Sequence, residues 1–190
     1  MCIPGLKRNA RGEPRTPNYL ADVRQALAGH LSDSAFGEFY RVTNQLYMSH
    51  LFVPVMPAEQ GPTAFSAGDQ VKPSNWMAHY RGAIRPPKAG RYRFVGMFDD
   101  LLMVLVDGKV AMEFLWTGDP TPWEPKEFVG QHACFAGRPL VYGDWIEMDP
   151  HKSRRLDILV GEHPGGLVGG VLMIQEEGRP AIIFFILNKQ

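Results

Sequence analysis

Two cysteines, Cys2 and Cys134, are all that the 190-residue chain carries, too few for a disulfide framework and without the spacing of a zinc site. Net charge is missing too. Lys+Arg and Asp+Glu both total 20, so no overall field draws the chain to nucleic acid or to an anionic membrane. The local basic cluster Lys152, Arg154 and Arg155 reads as a solvated loop face. The longest apolar run, Ala181 to Leu187, is seven residues, far short of a membrane span, and reads as a buried terminal strand. No apolar stretch follows Lys7, Arg8 and Arg11, so no secretory signal is visible in this chain. Catalytic signatures are absent as well. The six histidines show no His-Glu-x-x-His or paired-ligand spacing, and no Gly-x-Ser-x-Gly elbow occurs.

What the chain does have is turn chemistry. Sixteen prolines and twenty glycines favour strands and loops over helices. An apolar fraction of 45% and a charged fraction of 21% suit one soluble globular domain. The organising stretch runs from Gly90 to Phe114. Tyr92, Phe94 and Gly96 alternate with Arg93 and Val95, the two-residue period of a half-buried strand. Leu101 to Val106 is apolar throughout, as in a strand buried on both faces. Asp107-Gly108 is a strong hairpin signal, because a type I′ turn needs positive φ at both central residues. Between the first two runs sit two adjacent carboxylates, Asp99 and Asp100. Adjacent acids rarely pack inside a sandwich without a cation, amide donors or water.

Before this stretch, Met1 to Arg15 reads as an extended arm. Thr16-Pro17 signals a helix start, with Leu20, Val23 and Leu27 on one face and Gly29 as the stop. Ser32 or Asp33 is positioned to cap a second, shorter helix through Phe36 and Phe39. Both helices read as a brace packed on the sheet. Gln45 to Val55 reads as a strand pair or one bent strand ended by Pro54 and Pro57, and Ala58 to Ser74 as a loop. Trp76, Ala78, Tyr80 and Gly82 share one face of a further strand. After Phe114, Leu115 to Gly130 is an insertion holding Trp116 and Trp123; a loop of that length is usually functional or disordered. Runs at Leu140–Tyr142, Trp145–Met148, Leu156–Val160 and Val171–Gln175 complete eight or nine strands at short spacing, the mark of a sandwich or barrel. The expected division is 1–40, arm and helical extension, and 41–190, β-sandwich, in one compact unit.

Three groups of residues carry possible chemistry. Asp99 and Asp100 offer hard oxygen ligands of the kind Ca²⁺ collects together with backbone carbonyls and water; the plainer alternative is a turn cap beside a solvated acid. They are poor glycosidase acids, because adjacent positions on one loop seldom flank a bond from both sides. Gly161-Glu162-His163-Pro164-Gly165-Gly166-Leu167-Val168-Gly169-Gly170 follows an apolar run but lacks the Lys-Ser/Thr of a nucleotide loop and a following helix. It reads as a flexible hairpin connection in which Glu162 and His163 either face a ligand or simply face solvent. Trp116 and Trp123 offer flat faces to a sugar ring or a protein partner, or else close one end of the sandwich.

Trp76 to Lys109, W-M-A-H-Y-R-G-A-I-R-P-P-K-A-G-R-Y-R-F-V-G-M-F-D-D-L-L-M-V-L-V-D-G-K, resembles the protective-antigen-type (PA-14) domain. That family has Gly before Tyr-x-Phe, an Asp-Asp pair, then a hydrophobic strand ending in Asp-Gly. The later L-D-I-L-V-G-E-H-P-G-G-L-V-G-G-V-L-M-I-Q-E is similar to its closing strand pair. The resemblance covers roughly Arg41 to Gln190 and is specific around Tyr92 to Gly108. It implies an all-β fold, an antiparallel β-sandwich or barrel, here with a short N-terminal helical extension. It also implies a non-catalytic binding module, for carbohydrate or adhesion, in a bacterial envelope or secreted protein. In adhesin members the Asp-Asp peptide is cis and both carboxylates hold calcium, which would make Asp99 and Asp100 the metal ligands. Those members complete the site from a loop corresponding to Glu162–Gly169, generally with Asn or Asp; this chain has neither there. The partner implied is a glycan or a cell-surface protein. The alternative is a structural protein–protein interaction module that binds neither glycan nor metal, docking through the same surface or through the Leu115–Gly130 insertion.

Overall fold

A computed structural model describes residues 2–3, 18–37, 39–42, 46–68, 70–115, 127–129, 134–135, 137–163 and 165–183. In chain order the elements are β1 (Cys2–Ile3), α1 (Tyr19–Ala28), β2 (Tyr40–Arg41), β3 (Phe52–Pro57), α2 (Gly61–Ala64), β4 (Trp76–Ile84), β5 (Gly90–Asp99) and β6 (Leu101–Val106). Then come β7 (Lys109–Leu115), β8 (Cys134–Phe135), β9 (Arg138–Pro139), β10 (Val141–Tyr142), β11 (Ile146–Met148), β12 (Arg154–Glu162), β13 (Leu167–Glu176) and β14 (Ala181–Ile183). One antiparallel sheet has the order β2-β1-β4-β12-β6-β7. The other runs β10-β5-β13-β14, with β11 also on β5 and β3 also on β13. Strands β8 and β9 pair separately.

The two sheets face each other across a core that includes Phe94, Phe98, Leu102, Val104, Ile158 and Leu172. Phe65, Trp76 and Phe98 form an aromatic cluster there, with ring centroids 4.9 to 6.4 Å apart, a spacing that adds to simple area burial. All six residues of β6 are buried, as its unbroken apolar run requires. The cause is a third layer. Leu102, Val104 and Val106 enter the inter-sheet core, while Leu101, Met103 and Leu105 pack with Tyr19, Val23 and Ala26 of α1. Each such side chain fully buried contributes about 1.5–3 kcal/mol.

Asp107 and Gly108 have φ of 50° and 79°, the type I′ geometry expected, and join β6 to β7 with Val106 opposite Lys109. Other expectations are corrected. Helix α1 is capped by Asn18, whose side chain accepts from the Ala21 N–H at 3.1 Å, in place of Thr16. Its buried face is Tyr19, Asp22, Val23 and Ala26, turned from the apolar stripe so that Leu20 and Leu27 lie only half-buried. No second helix forms over 33–39. Successive turns there bury Phe36 and Phe39 on the sheet, because two aromatics gain more from packing than one short helical turn gains from its hydrogen bonds.

Strand β3 ends at Pro57 as expected, but Pro54 does not interrupt it: Pro54 lies inside an edge strand, where a missing N–H is tolerated. The 58–74 segment holds a 3₁₀ turn at Ala58–Gln60 and the short α2. Finally, the described part of the terminal apolar run, β14, is an exposed edge, with Ile182 62% and Ile183 49% accessible.

Candidate functional site

Asp99 ends β5 in one sheet and Asp100 leads directly into β6 in the other. The two runs that flank the acids are therefore a crossing between layers, at one end of the sandwich. The Asp99–Asp100 peptide is cis. The second crossing at this end is 163–166, which joins β12 to β13. These strands also belong to different sheets, so the segment is an inter-sheet link and not the hairpin connection its sequence suggests. Gly165 and Gly166 have φ of 128° and 109°, values that only glycine adopts without strain.

Backbone contacts tie the two crossings together. The Asp100 N–H donates to the Gly161 carbonyl at 2.9 Å, and the His163 N–H donates to Asp100 Oδ2 at 2.8 Å. Asn75, at φ 60°, donates its N–H to the Glu162 carbonyl at 2.9 Å, and its Oδ1 is hydrogen-bonded to His163 Nδ1. The His163 ring stacks on Tyr19 with centroids 4.9 Å apart and planes 8° off parallel. The Tyr19 hydroxyl donates to the Trp76 carbonyl at 3.4 Å. Gly161 makes room for this: a Cβ there would sit 2.0 Å from the Tyr19 hydroxyl oxygen. Helix α1 thus reaches into the wall of the acid cluster.

The acids themselves are buried, with Asp99 and Asp100 at 4% accessibility and Glu162 at 0%. Asp99 Oδ1 and both Glu162 carboxyl oxygens lack a hydrogen-bond partner. Arg138 Nε lies 3.6 Å from Asp99 Oδ1, within ion-pair distance. Burial, a hydrogen bond with Asp99 and the charges of Glu162 and Asp99 push the Asp100 carboxyl up to about 9, against the opposing pull of the His163 N–H. Burial and the charges of Asp99 and Glu59 push Glu162 up to about 8; the Gly165 N–H pulls the other way without reaching full hydrogen-bond geometry. Burial, then Asp100 and Glu162, raise the Tyr19 phenol well above its ordinary value. Burial lowers His163. Three mutually repelling carboxyls are held here without enough donors, an arrangement that a cation or ordered water would relieve.

Asp99, Asp100, Glu162 and His163 therefore share one end of the sandwich. Trp116 and Trp123 lie outside the described residues, as does most of the Leu115–Gly130 insertion. Tyr19, Asn75, Trp76 and Arg138 join the cluster through contacts over long sequence separations, with no local motif to announce them. Among the described residues no three His, Cys, Asp or Glu side chains are grouped to hold a metal ion. A cation would have to combine the two aspartates with backbone carbonyls and water.

Among solved structures, the chain superposes on the PA14 sugar-binding domain from an RTX adhesin with a TM-score of 0.58 at 12% identity, covering 98% of this chain and 99% of that one. The fold is that of a PA14 domain. The A domain of epithelial adhesin 6 from Candida glabrata, solved in complex with Galb1-3GlcNAc, matches with a TM-score of 0.53 at 13% identity, covering 100% of this chain and 86% of that one. No family model and no curated protein matches the sequence. The PA14 likeness, specific in sequence only around Tyr92 to Gly108, covers 98% of this chain in the structural comparison with the RTX adhesin domain.

Proposed function

We propose that the chain is a carbohydrate-binding or adhesion module whose site is the Asp99–Asp100 end of the sandwich. The observation that carries this reading is the buried, under-satisfied acid cluster at the inter-sheet crossings. Asp99 Oδ1 and the Glu162 oxygens are buried and accept no hydrogen bond, and buried polar atoms left so are costly unless an ion or polar ligand completes them. The PA14 fold shared with two adhesin domains supports the assignment to binding.

Asp99 and Asp100 would hold calcium, with water and the carbonyls of the 162–166 link filling the six to eight oxygen positions the ion takes. Calcium, when bound, supplies a fixed positive charge to which vicinal sugar hydroxyls can be ligated. The chain's own residues do the positioning. The His163 N–H orients the Asp100 carboxylate, and Tyr19 and Asn75 hold His163 in place. Trp116 and Trp123 are the stacking platforms proposed for the sugar ring. A secreted or cell-envelope location accords with such a role, and no described helix is long and apolar enough to cross a membrane.

A glycan array probed with and without calcium tests the reading. Calcium-dependent binding lost in Asp100→Asn is the expected result. Absence of glycan binding in calcium, with capture of one envelope protein instead, would favour a protein–protein interaction module.

A further inference from the structure

At the opposite end of the sandwich the sheets open into a groove of ≈ 720 Å³, within the size range of small-molecule sites. Tyr92, which lines it, precedes Asp99 on the same strand by seven positions, roughly 23 Å at strand rise. The groove is therefore separate from the acid cluster. Its buried lining is Ile84, Tyr92 and Ile174, and its exposed apolar lining is Ile182 and Ile183.

The charges around it are uneven. Every described arginine on a strand has a carboxylate within ion-pair distance, as Arg91 has Glu177 at 2.6 Å and Arg155 has Asp157 at 2.6 Å. Arg85 and Arg179 line the groove from two loops, both exposed, and neither has a carboxylate partner among the described residues. The one acid lining the groove, Glu176, is neutralised by Lys88 at 2.8 Å. The Tyr92 hydroxyl is occupied with the Lys88 carbonyl at 3.0 Å.

Both arginine-bearing loops are held in shape. Arg85 is followed by Pro86-Pro87, whose φ is fixed by the ring. The Arg179 backbone is tied on both sides, its N–H to the Glu176 carbonyl at 2.9 Å and its carbonyl to Gln175 Nε2 at 2.8 Å. A preformed apolar groove flanked by two guanidiniums without acid partners is complementary to one chemical class. Guanidinium forks match carboxylates in two-point contacts, and the apolar wall can receive a hydrophobic body. We propose that this groove binds a small carboxylate with an apolar body, such as a medium-chain alkanoate. Its acid group is received by Arg85 and Arg179, and its chain lies on Ile84, Ile174 and Ile182. This site is independent of the Asp99–Asp100 end.

The test is an amide-resonance NMR titration of the full chain with sodium octanoate and, in parallel, 1-octanol and sodium acetate. Octanoate is expected to shift resonances within 84–92 and 174–183, with 1-octanol and acetate each about tenfold weaker or worse, a gap of about 1.4 kcal/mol. Arg85→Gln combined with Arg179→Gln should bring octanoate down to the level of 1-octanol while leaving 1-octanol unchanged. Equal affinity for octanoate and 1-octanol, equal affinity for acetate, shifts outside these segments, or no shift at all overturns the proposal. So does a groove whose resonances move with protein concentration alone and cease to do so in Ile182→Glu, which would make the occupant a second copy of the chain.

Discussion

Replacing Glu162 by glutamine removes one titratable carboxyl from the acid cluster and leaves its shape nearly intact. In the folded chain this carboxyl titrates at about 8; in the unfolded chain it titrates near its ordinary value of about 4.3. Between those values the unfolded state has lost its proton and the folded state keeps it. Folding therefore takes up a proton, and stability falls as pH rises through the window. The slope is about 1.4 kcal/mol per pH unit. At pH 7 the accumulated loss is about 3 kcal/mol, and at pH 5 it is about 1 kcal/mol. A neutral glutamine escapes it. In chelator at pH 7, Glu162→Gln should raise the stability by about 3 kcal/mol, which for a chain of this size moves the melting midpoint up by roughly 6–12 °C. The gain should shrink to roughly 2–4 °C at pH 5. Thermal melts of both forms across pH 5 to 8 measure it. A glutamine variant that is less stable than the parent at pH 7, or whose gain does not vary with pH, would refute the electrostatic picture of the site.

Other perturbations probe the frame around the site. Asp157 is fully buried and receives His79 at 2.9 Å, Arg81 at 3.3 Å and Arg155 at 2.6 Å, while Arg81 and Arg155 also donate to the Leu31 and His30 carbonyls after α1. Burial alone would raise this acid, but His79 and Arg155 outweigh it and hold the carboxyl below the usual range. Its contribution is thus present above about pH 4 and lost on acidification through the folded value. Asp157→Asn should cost about 2–3 kcal/mol at pH 7 by denaturant melts, with the deficit fading in acid. Gly96→Ala puts a methyl 2.1 Å from the Val171 carbonyl oxygen, a clash with backbone that cannot rotate away. It should cost about 3 kcal/mol or more, while Gly90→Ala, whose nearest contact is Tyr92 Cε2 at 3.6 Å, should change the denaturation midpoint little.

The local features of this fold are legible in the sequence. The Asp107-Gly108 turn, the doubly buried run Leu101–Val106 and the strands after Val141 follow from φ preferences and apolar spacing, which act within a few residues. Pairing is less legible. Nothing between Phe98 and Leu101 announces that β5 and β6 separate into different sheets, nor does 163–166 announce a crossing, because the partners that decide it are distant in sequence: β13 and β12. The brace over β6 could be inferred from that strand's lack of alternation. Its contact face could not, since Asp22 is buried where an apolar stripe would place leucine. At the site, the acids were visible as a pair, whereas Tyr19 and Asn75 reach His163 across 144 and 88 positions. A single sequence has no periodicity that marks such contacts.

A melt in millimolar calcium beside one in chelator, with Asp100→Asn as control, decides whether Asp99 and Asp100 form a cation site. Calcium at a hundred times its dissociation constant adds about 2.7 kcal/mol, a rise of roughly 5–10 °C in the midpoint. The parent chain should show that rise and Asp100→Asn should lose it. Identical melts with and without calcium, or a rise that survives the substitution, would contradict such a site.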